Sequence, residues 1–399
     1  MTSHIVILFI NIGSYHAARL RAAHQACQAR DWSFTAIQLT DDTLQHPWGD
    51  LSREITFPLE TLLPVETVAP EVDRSSMGTD GIPALVRHLD RLQPTAVFLP
   101  GWGFPIARAG LKWCIQRNVP AILMSESKAD DEPRSWWKEW LKSQLYVRKF
   151  AAALVGGQHH RDYTVQLGIP SDRIFLGYDA VDNEHFARTA ATARADANAA
   201  RARQPAIPSR PYFICVTRFL PRKNVLALLD AYARYRQAVS ADAAKDLVIC
   251  GSGKGLDEVR SQIQQLHLEP GVHLPGFVSY DTLGDWYGLA DALIHPALHE
   301  QWGLVLNEAG AAGLPLLSSR TVGAAAELVQ EGVNGFTFEP TSVADMTGVL
   351  QTFHALSADE RERMGHHSQT IANDFGPHRF GDGFTRAVLT ATSTQPVRA

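Results

Sequence analysis

Short unbroken apolar runs, three to six residues long, recur along the chain. They alternate with segments whose apolar positions return every three to four residues. The unbroken runs predict strands buried on both faces, and the spaced ones predict helices. In the first half, strands are expected at 5–10, 35–39, 96–99, 121–124, 153–155 and 174–176. Helices such as 17–30 and 105–117 fall between most of them. The second half restarts the pattern at 212–216, 247–250, 272–274, 292–294 and 314–317. Strands and helices alternating in this way predict an α/β architecture with parallel sheets.

Between the halves, residues 188–210 are rich in Ala, Arg and Pro and present no apolar face. That predicts a linker or an exposed, weakly packed helix. The chain therefore divides into a Rossmann-like domain at 1–187, a linker at 188–210, a second Rossmann-like domain at 211–372, and a C-terminal helix and tail at 373–399. The last helical pattern, at 368–389, either caps the second domain or crosses back to the first. The polar end, 390–399, reads as frayed. Sheets of this kind bind ligands beyond the carboxyl ends of their strands, so the expected site is the cleft between the two domains.

Composition narrows the field. A length of 399 residues suits two domains, and 45% hydrophobic against 20% charged residues excludes disorder. The net charge of −5 argues against nucleic acid as the main partner. No apolar run approaches the ~18 residues of a membrane span. The run 5–10 is too short and lacks the basic flank of a secretory leader. Cys27, Cys114, Cys215 and Cys250 have neither CxxC nor zinc spacing, and read as reduced core thiols of a cytoplasmic protein.

Two stretches carry chemistry. The first is His299-Glu300-Gln301-Trp302-Gly303-Leu304-Val305-Leu306-Asn307-Glu308-Ala309, after the strand at 292–294. Gly303 and Leu304 fall at a helix start, where backbone amides and the helix dipole favour an anion. Glu300 in the loop and Glu308 one turn inside the helix suit sugar hydroxyls on either side of a phosphate. Spacing alone equally allows a loop acid and a helix-surface acid. The second is Thr217-Arg218-Phe219-Leu220-Pro221-Arg222-Lys223-Asn224, directly after the strand at 212–216. Cations beside a helix start are unfavourable unless an anion joins them. Arg218 suits a bidentate phosphate clamp and Lys223 a point charge. A solvated basic loop is the alternative.

Together these stretches resemble the retaining glycosyltransferases of family 4, which have the two-domain GT-B fold. Glu300 and Glu308 match that family's E-x7-E motif, with Gly303-Leu304-Val305 between them, and Arg218 and Lys223 match its pyrophosphate-binding Arg and Lys. Asp182-Asn183-Glu184-His185-Phe186, the turn Gly251-Ser252-Gly253 and Pro275-Gly276-Phe277-Val278 also fit. The resemblance implies that Arg218 and Lys223 neutralise the leaving diphosphate, with the Gly303 and Leu304 amides completing the cradle. It implies that Glu308 binds the ribose, Glu300 the donor sugar, and Phe277-Val278 the nucleobase through backbone groups. Gly253 joins the donor site, as does Gly13 in the glycine-containing loop Asn11-Ile12-Gly13-Ser14-Tyr15-His16. No cofactor and no divalent metal are implied. Neither Asp41-Asp42 nor Asp130-Asp131 follows a metal-binding pattern, and Pro296 between His295 and His299 argues against a zinc helix.

The N-terminal half departs more from the family. His16 is an acceptor-side candidate or an ordinary helix-start histidine. Trp102 stacks on a sugar or simply packs. Where many members carry a histidine, this chain has Ser125-Glu126-Ser127-Lys128, which makes Glu126 a third acceptor-side candidate. His159-His160 and His366-His367 read as surface helix positions. The segment from Arg134 to Phe150 combines Trp136, Trp137 and Trp140 with five basic residues. It suits a helix lying on an anionic membrane, or one burying its tryptophans on the sheet.

The expected activity is metal-independent transfer of a sugar, with retention, from a nucleoside-diphosphate sugar to a hydroxyl acceptor. By family frequency the donor is UDP-linked. The acceptor is a sugar, lipid-linked sugar or small molecule, in glycan, glycolipid or glycoside biosynthesis. The expected location is cytoplasmic, with peripheral contact at the inner face of a membrane. The rival readings are a GT-B enzyme of the epimerase or phosphorylase type and a non-catalytic sugar-nucleotide-binding protein.

Overall fold

The computed structural model describes residues 3–41, 53–63, 79–131 and 134–393; Asp42 and residues 394–399 of the tail lie outside them. The chain folds as two compact units. One comprises Met1–Val181 with Gly376–Ala399, and the other Asp182–Phe375.

The first unit holds β1 (His4–Phe9), β2 (Ser33–Thr40), β3 (Leu59–Leu63), β4 (Ala96–Pro100), β5 (Ala121–Ser125), β6 (Ala152–Val155) and β7 (Ile174–Leu176). They pair in parallel in the order β3-β2-β1-β4-β5-β6-β7. Alternate residues face two separate cores: Ile5, Ile7 and Phe9 enter one, Val6 and Leu8 the other. Burial on both faces is why these strands read as unbroken apolar runs. The first core is closed by the helix Pro377–Ser393, whose Phe384 stacks on Phe98 with centroids 4.6 Å apart.

The second unit holds β8 (Tyr212–Val216), β9 (Asp246–Cys250), β10 (Val272–Gly276), β11 (Ala292–His295), β12 (Leu316–Ser319) and β13 (Gly335–Phe338). Their order is β10-β9-β8-β11-β12-β13, again parallel. The chain direction across the sheet reverses between β8 and β11. That makes their carboxyl ends the switch point where such sheets take ligands.

Three differences from the sequence reading have physical causes. The strands it lacked, β3 and β13, both lie at a sheet edge, where half-exposed residues dilute the apolar signal. The pattern at 368–389 is two helices, Ala358–Asn373 in the second unit and Pro377–Ser393 in the first. Pro377 starts a helix readily but cannot continue the preceding one. Residues 188–210 are no linker: they fall within the second unit and are largely helical, in Asn183–Ala195 and Ala197–Arg203. The helix Asn183–Ala195 packs against Tyr280–Leu289 through small residues. A Cβ added at Gly288 would stand 2.6 Å from the Ala190 carbonyl and 2.8 Å from the Ala193 Cβ. Alanine facing glycine leaves no apolar stripe to read, yet lets the two backbones approach closely.

Candidate active site

The β8 and β9 strands hand over to loops that lie directly on one another. The Thr217 amide donates to Cys250 O at 2.9 Å and the Phe219 amide to Ser252 O at 2.9 Å. Gly253, at φ +147°, faces the Phe219 backbone where a Cβ would stand 2.8 Å from its carbonyl oxygen. Gly253 thus serves to seat one loop on the other. Past it, a 3-10 turn at Pro221–Lys223 leads into Asn224, whose Nδ2 donates to Pro296 O at 3.1 Å and Pro340 O at 2.8 Å. These bonds tie the loop after β8 to the loop after β11.

That tie brings the predicted cations and acid together. Lys223, only 8% exposed, donates through Nζ to Glu300 Oε2. Arg222 Nη1 lies 3.5 Å from Glu300 Oε1 and donates to His299 O at 3.2 Å. His295, 1% exposed, places Nε2 3.7 Å from Glu300 Oε2. At that separation the two are neighbours without a hydrogen bond. Burial disfavours charge on Glu300, but His295 and Lys223 outweigh it and hold the carboxyl well below the usual range. Lys223 sits below its ordinary value, chiefly through burial and then through repulsion from Arg222 and Arg218, with Glu300 pulling the other way. We assign the pair as ionised, because three neighbouring groups favour the Glu300 carboxylate. Arg218 is exposed beside the group.

Gly303 follows at φ +103°, a conformation that L side chains rarely adopt, with Val322 Cγ1 2.8 Å from where a Cβ would stand. This turn lets Leu304 open the helix Val305–Ala311 without a side-chain cap. Inside that helix Glu308 is buried, and its Oε2 accepts a 2.8 Å hydrogen bond from the Tyr287 hydroxyl. Burial pushes the Glu308 carboxyl up to about 7, with Tyr287 opposing. The two glutamates thus differ sharply: Glu300 is held charged among cations, whereas Glu308 titrates near neutrality. Trp302 Nε1 donates to Asn307 Oδ1 at 2.8 Å, locking the loop onto the helix. Beyond β10, Phe277 is 51% exposed and is followed by half-buried Val278.

In the first unit the Gly13 amide, expected at a donor phosphate, donates instead to His16 Nδ1 at 3.0 Å. His16 is therefore first of all a helix cap, and Gly13 is engaged within its own turn. The device recurs where the Gly157 amide donates to His160 Nδ1 at 3.1 Å, and His160 is fully buried, not the surface residue its sequence context suggested. Trp102 packs against the core of the sheet with the Lys142 ammonium 5.4 Å from its ring centroid. Glu126 is half-buried in the loop after β5.

Residues 196–370 match the family model described as Glycosyl transferases group 1. The fold matches the Anabaena protein HepE solved in complex with UDP at a TM-score of 0.71 and 17% identity, over 96% of this chain and 98% of that one. The chain has the GT-B fold. Among solved GT-B structures it also resembles sucrose-phosphate synthase from Thermosynechococcus elongatus, at a TM-score of 0.72 and 16% identity, over 95% and 96% of the two chains. In sequence, an uncharacterized glycosyltransferase of Methanocaldococcus jannaschii is 39% identical over 24% of each chain. A GDP-mannose-dependent alpha-(1-6)-phosphatidylinositol monomannoside mannosyltransferase of Mycobacterium tuberculosis is 32% identical over 34% of this chain and 36% of its own. The matches thus span about a quarter to a third of these relatives' length.

Several residues that complete this GT-B chain had no legible signal. Tyr287 lies in an ordinary helix, and His295 ends a buried strand. Both become visible only when neighbouring loops close over them. The helix Trp136–Leu145 is a further surprise. Its polar side turns inward: Lys142 Nζ donates to Glu139 at 2.7 Å and to the Tyr163 hydroxyl at 2.8 Å. Its aromatic side faces solvent, with Trp136 82%, Trp137 51% and Trp140 59% exposed. The tryptophans are not buried on the sheet. Among the described residues no helix is long and apolar enough to cross a membrane, and no cluster of His, Cys, Asp and Glu suits a metal ion. The four cysteines are buried and unbridged.

Proposed function

We propose that this protein transfers a sugar, with retention of configuration, from a nucleoside-diphosphate sugar to a hydroxyl acceptor. The carrying observation is the cluster of Lys223 and Arg222 on Glu300, with Arg218 exposed nearby, at the switch point of the second sheet. Arg218 and Lys223 neutralise the departing diphosphate, and the amides of Gly303 and Leu304 add fixed dipoles. These groups supply the charge that a divalent ion supplies in other transferases, so the reaction proceeds without metal. Glu300, held ionised, accepts from the donor-sugar hydroxyls, while Glu308 holds the ribose. The bond from the anomeric carbon to the diphosphate oxygen breaks as the acceptor oxygen bonds on the same face. The acceptor proton passes to the departing phosphate oxygen.

A UDP-linked donor is favoured by the neighbour that was solved with UDP and UDP-glucose. Differential scanning fluorimetry with UDP, GDP and ADP sugars tests this, since a ligand at ~100 times its Kd adds ~2.7 kcal/mol of stability. Transfer measured by product chromatography in excess EDTA should persist; complete loss restored by Mg²⁺ or Mn²⁺ overturns the metal-free reading. Hydrolysis or epimerisation of the donor without any acceptor product favours the rival GT-B readings.

The outward aromatic face of Trp136–Leu145 supports a second element, contact with a lipid surface. Tryptophan suits the membrane interface, and Lys138 and Lys149 beside it favour anionic headgroups. An acceptor carried on a lipid would then be met at its own surface.

A further inference from the structure

His295 ends β11 inside the second unit, with 1% of its surface exposed. Its backbone is fixed by pairing with Ser318 of β12, and the next carbonyl, of Pro296, accepts from Asn224 Nδ2. Yet among the described residues neither ring nitrogen has a hydrogen-bond partner. A buried imidazole placed so forgoes the bonds that water would give it. Nε2 faces Glu300 and stops 3.7 Å from Oε2, beyond bonding distance. That same oxygen accepts from Lys223 Nζ. Gly303 leaves room between the two: a Cβ there would stand 3.4 Å from Glu300 Cγ and 3.8 Å from His295 Nε2. The Glu300 backbone is held separately, by its bridge to Val322 and by the Gly323 amide, which donates to its carbonyl at 3.3 Å. Only the side chain has to move for Glu300 and His295 to meet.

We propose that Glu300 changes partner when the donor diphosphate binds: Lys223 turns to the phosphate, and His295 donates through Nε2 to the carboxylate oxygen that Lys223 gives up. His295 is then the positioning residue that keeps Glu300 aimed at the donor sugar. The proposal rests on the transferase reading above.

The exchange follows from the donors on hand. A diphosphate carries more charge than one carboxylate, and an ammonium on a flexible stem can turn to it. Glu300 would then lose its shortest contact while still largely buried, and a buried charge without a partner is costly. Arg222 Nη1, 3.5 Å from Oε1, serves the other oxygen. Oε2 is left to His295. Burial keeps the imidazole neutral, helped by Lys223 and Arg222 and opposed by Glu300. A neutral ring carries one N–H, and a carboxylate beside Nε2 favours the tautomer that puts it there. One bond to Glu300 thus replaces another, no proton is gained or lost, and the carboxylate keeps lone pairs for a sugar hydroxyl. The swap is close to balanced with His295 present. Without that ring its cost falls on diphosphate binding.

Calorimetry of the full chain with UDP, GDP and ADP tests this on His295→Phe, His295→Gln, Glu300→Gln and His295→Phe combined with Glu300→Gln. His295→Phe keeps a ring and removes the donor. It should weaken the diphosphate that the wild type binds by about tenfold, equivalent to about 1.4 kcal/mol. His295→Gln, whose amide donates, should recover most of that loss. With Glu300→Gln present there is no charge to hold, so adding His295→Phe should leave affinity unchanged. Wild-type affinity in His295→Phe, no recovery in His295→Gln, or equal weakening with and without the Glu300 charge each overturns the proposal; the last marks simple packing. Nitrogen NMR of the histidine rings reads the exchange in the wild type, the His295 signals being those missing from His295→Phe. Saturating diphosphate should move Nε2 to the position of a hydrogen-bonded N–H, and an unmoved signal overturns the proposal even where the variants fold poorly. If the wild type binds none of the three diphosphates, the transferase reading falls instead.

Discussion

The two units share one strand order. Counting strands within each unit, both run 3-2-1-4-5-6 from one edge, with a seventh added in the first. Their switch points carry opposite chemistry. In the second unit a buried lysine and Arg222 hold one carboxylate, and the helix after Gly303 starts uncapped. In the first, an arginine is buried against one carboxyl, and the amide at the helix start is taken by His16. One strand-end cluster is rich in cations, and the other holds a buried ion pair. Topology places a site, but the side chains at the strand ends choose its ligand.

If that division holds, damage to the second unit should fall on the donor. The largest effect is expected for Lys223→Ala and Arg218→Ala, each lowering kcat/KM at least ~10²-fold, as loss of one preorganised charge-stabilising donor does. Near-wild-type turnover in both, by product chromatography, would dissolve the contrast between the units.

The two glutamates sharpen it further. Glu308→Gln should weaken donor and free nucleoside diphosphate alike, by ~1.5–3 kcal/mol for a lost charged hydrogen bond. Glu300→Gln should leave diphosphate affinity nearly unchanged and lower kcat, since only the intact donor carries the sugar. Calorimetry with the diphosphate and kinetics with the donor separate the two roles, and the reverse pattern would exchange them.

A pH series tests the same pair without mutating the cations. Glu308 is raised to about 7 by burial, with Tyr287 opposing. Ribose hydroxyls bind its carboxylate, so diphosphate affinity should rise about tenfold from pH 6 to 8, one pH unit on either side of that value, and Glu308→Gln should flatten the rise. In the free protein the raised folded value gives Glu308 a stabilising contribution that is full below its unfolded value and declines as pH rises toward 7. Glu300, held low, contributes oppositely: its stabilisation is present above the unfolded value and is lost as pH falls. Thermal denaturation of the two Gln variants against pH should therefore diverge in opposite directions.

A smaller, purely structural effect is expected at Gly303. At φ +103°, with Val322 Cγ1 2.8 Å from a Cβ, Gly303→Ala should destabilise by roughly 1–2 kcal/mol, readable as a lowered Tm. In the first unit, Trp136→Ala with Trp140→Ala should abolish sedimentation with anionic phospholipid vesicles while leaving diphosphate affinity intact. Unchanged sedimentation would remove the lipid surface from the picture.

How much was legible follows the physics of each element. Central strands announced themselves because burial on both faces demands uninterrupted apolar residues. The edge strands β3 and β13, half-exposed, did not. The helix Asn183–Ala195 was unreadable because it packs through alanine against glycine. Lys223 and Glu300, singled out in loops that directly follow strands, come into contact in the fold. Arg222 was seen as a charge, and its contact with Glu300 came only with the folded loop.

The sequence by itself determined the parallel α/β architecture and the strand ends from which the cations and glutamates project, since burial and strand-to-helix spacing are local properties. Tertiary structure alone decided the ionisation of these groups and their partners. Burial of Glu308 behind Tyr287, the closing of His295 and Lys223 on Glu300, and the meeting of Arg19 and Asp179 join residues up to 160 positions apart. A pKa depends on the groups that converge in space, and their convergence is a property of the packed fold.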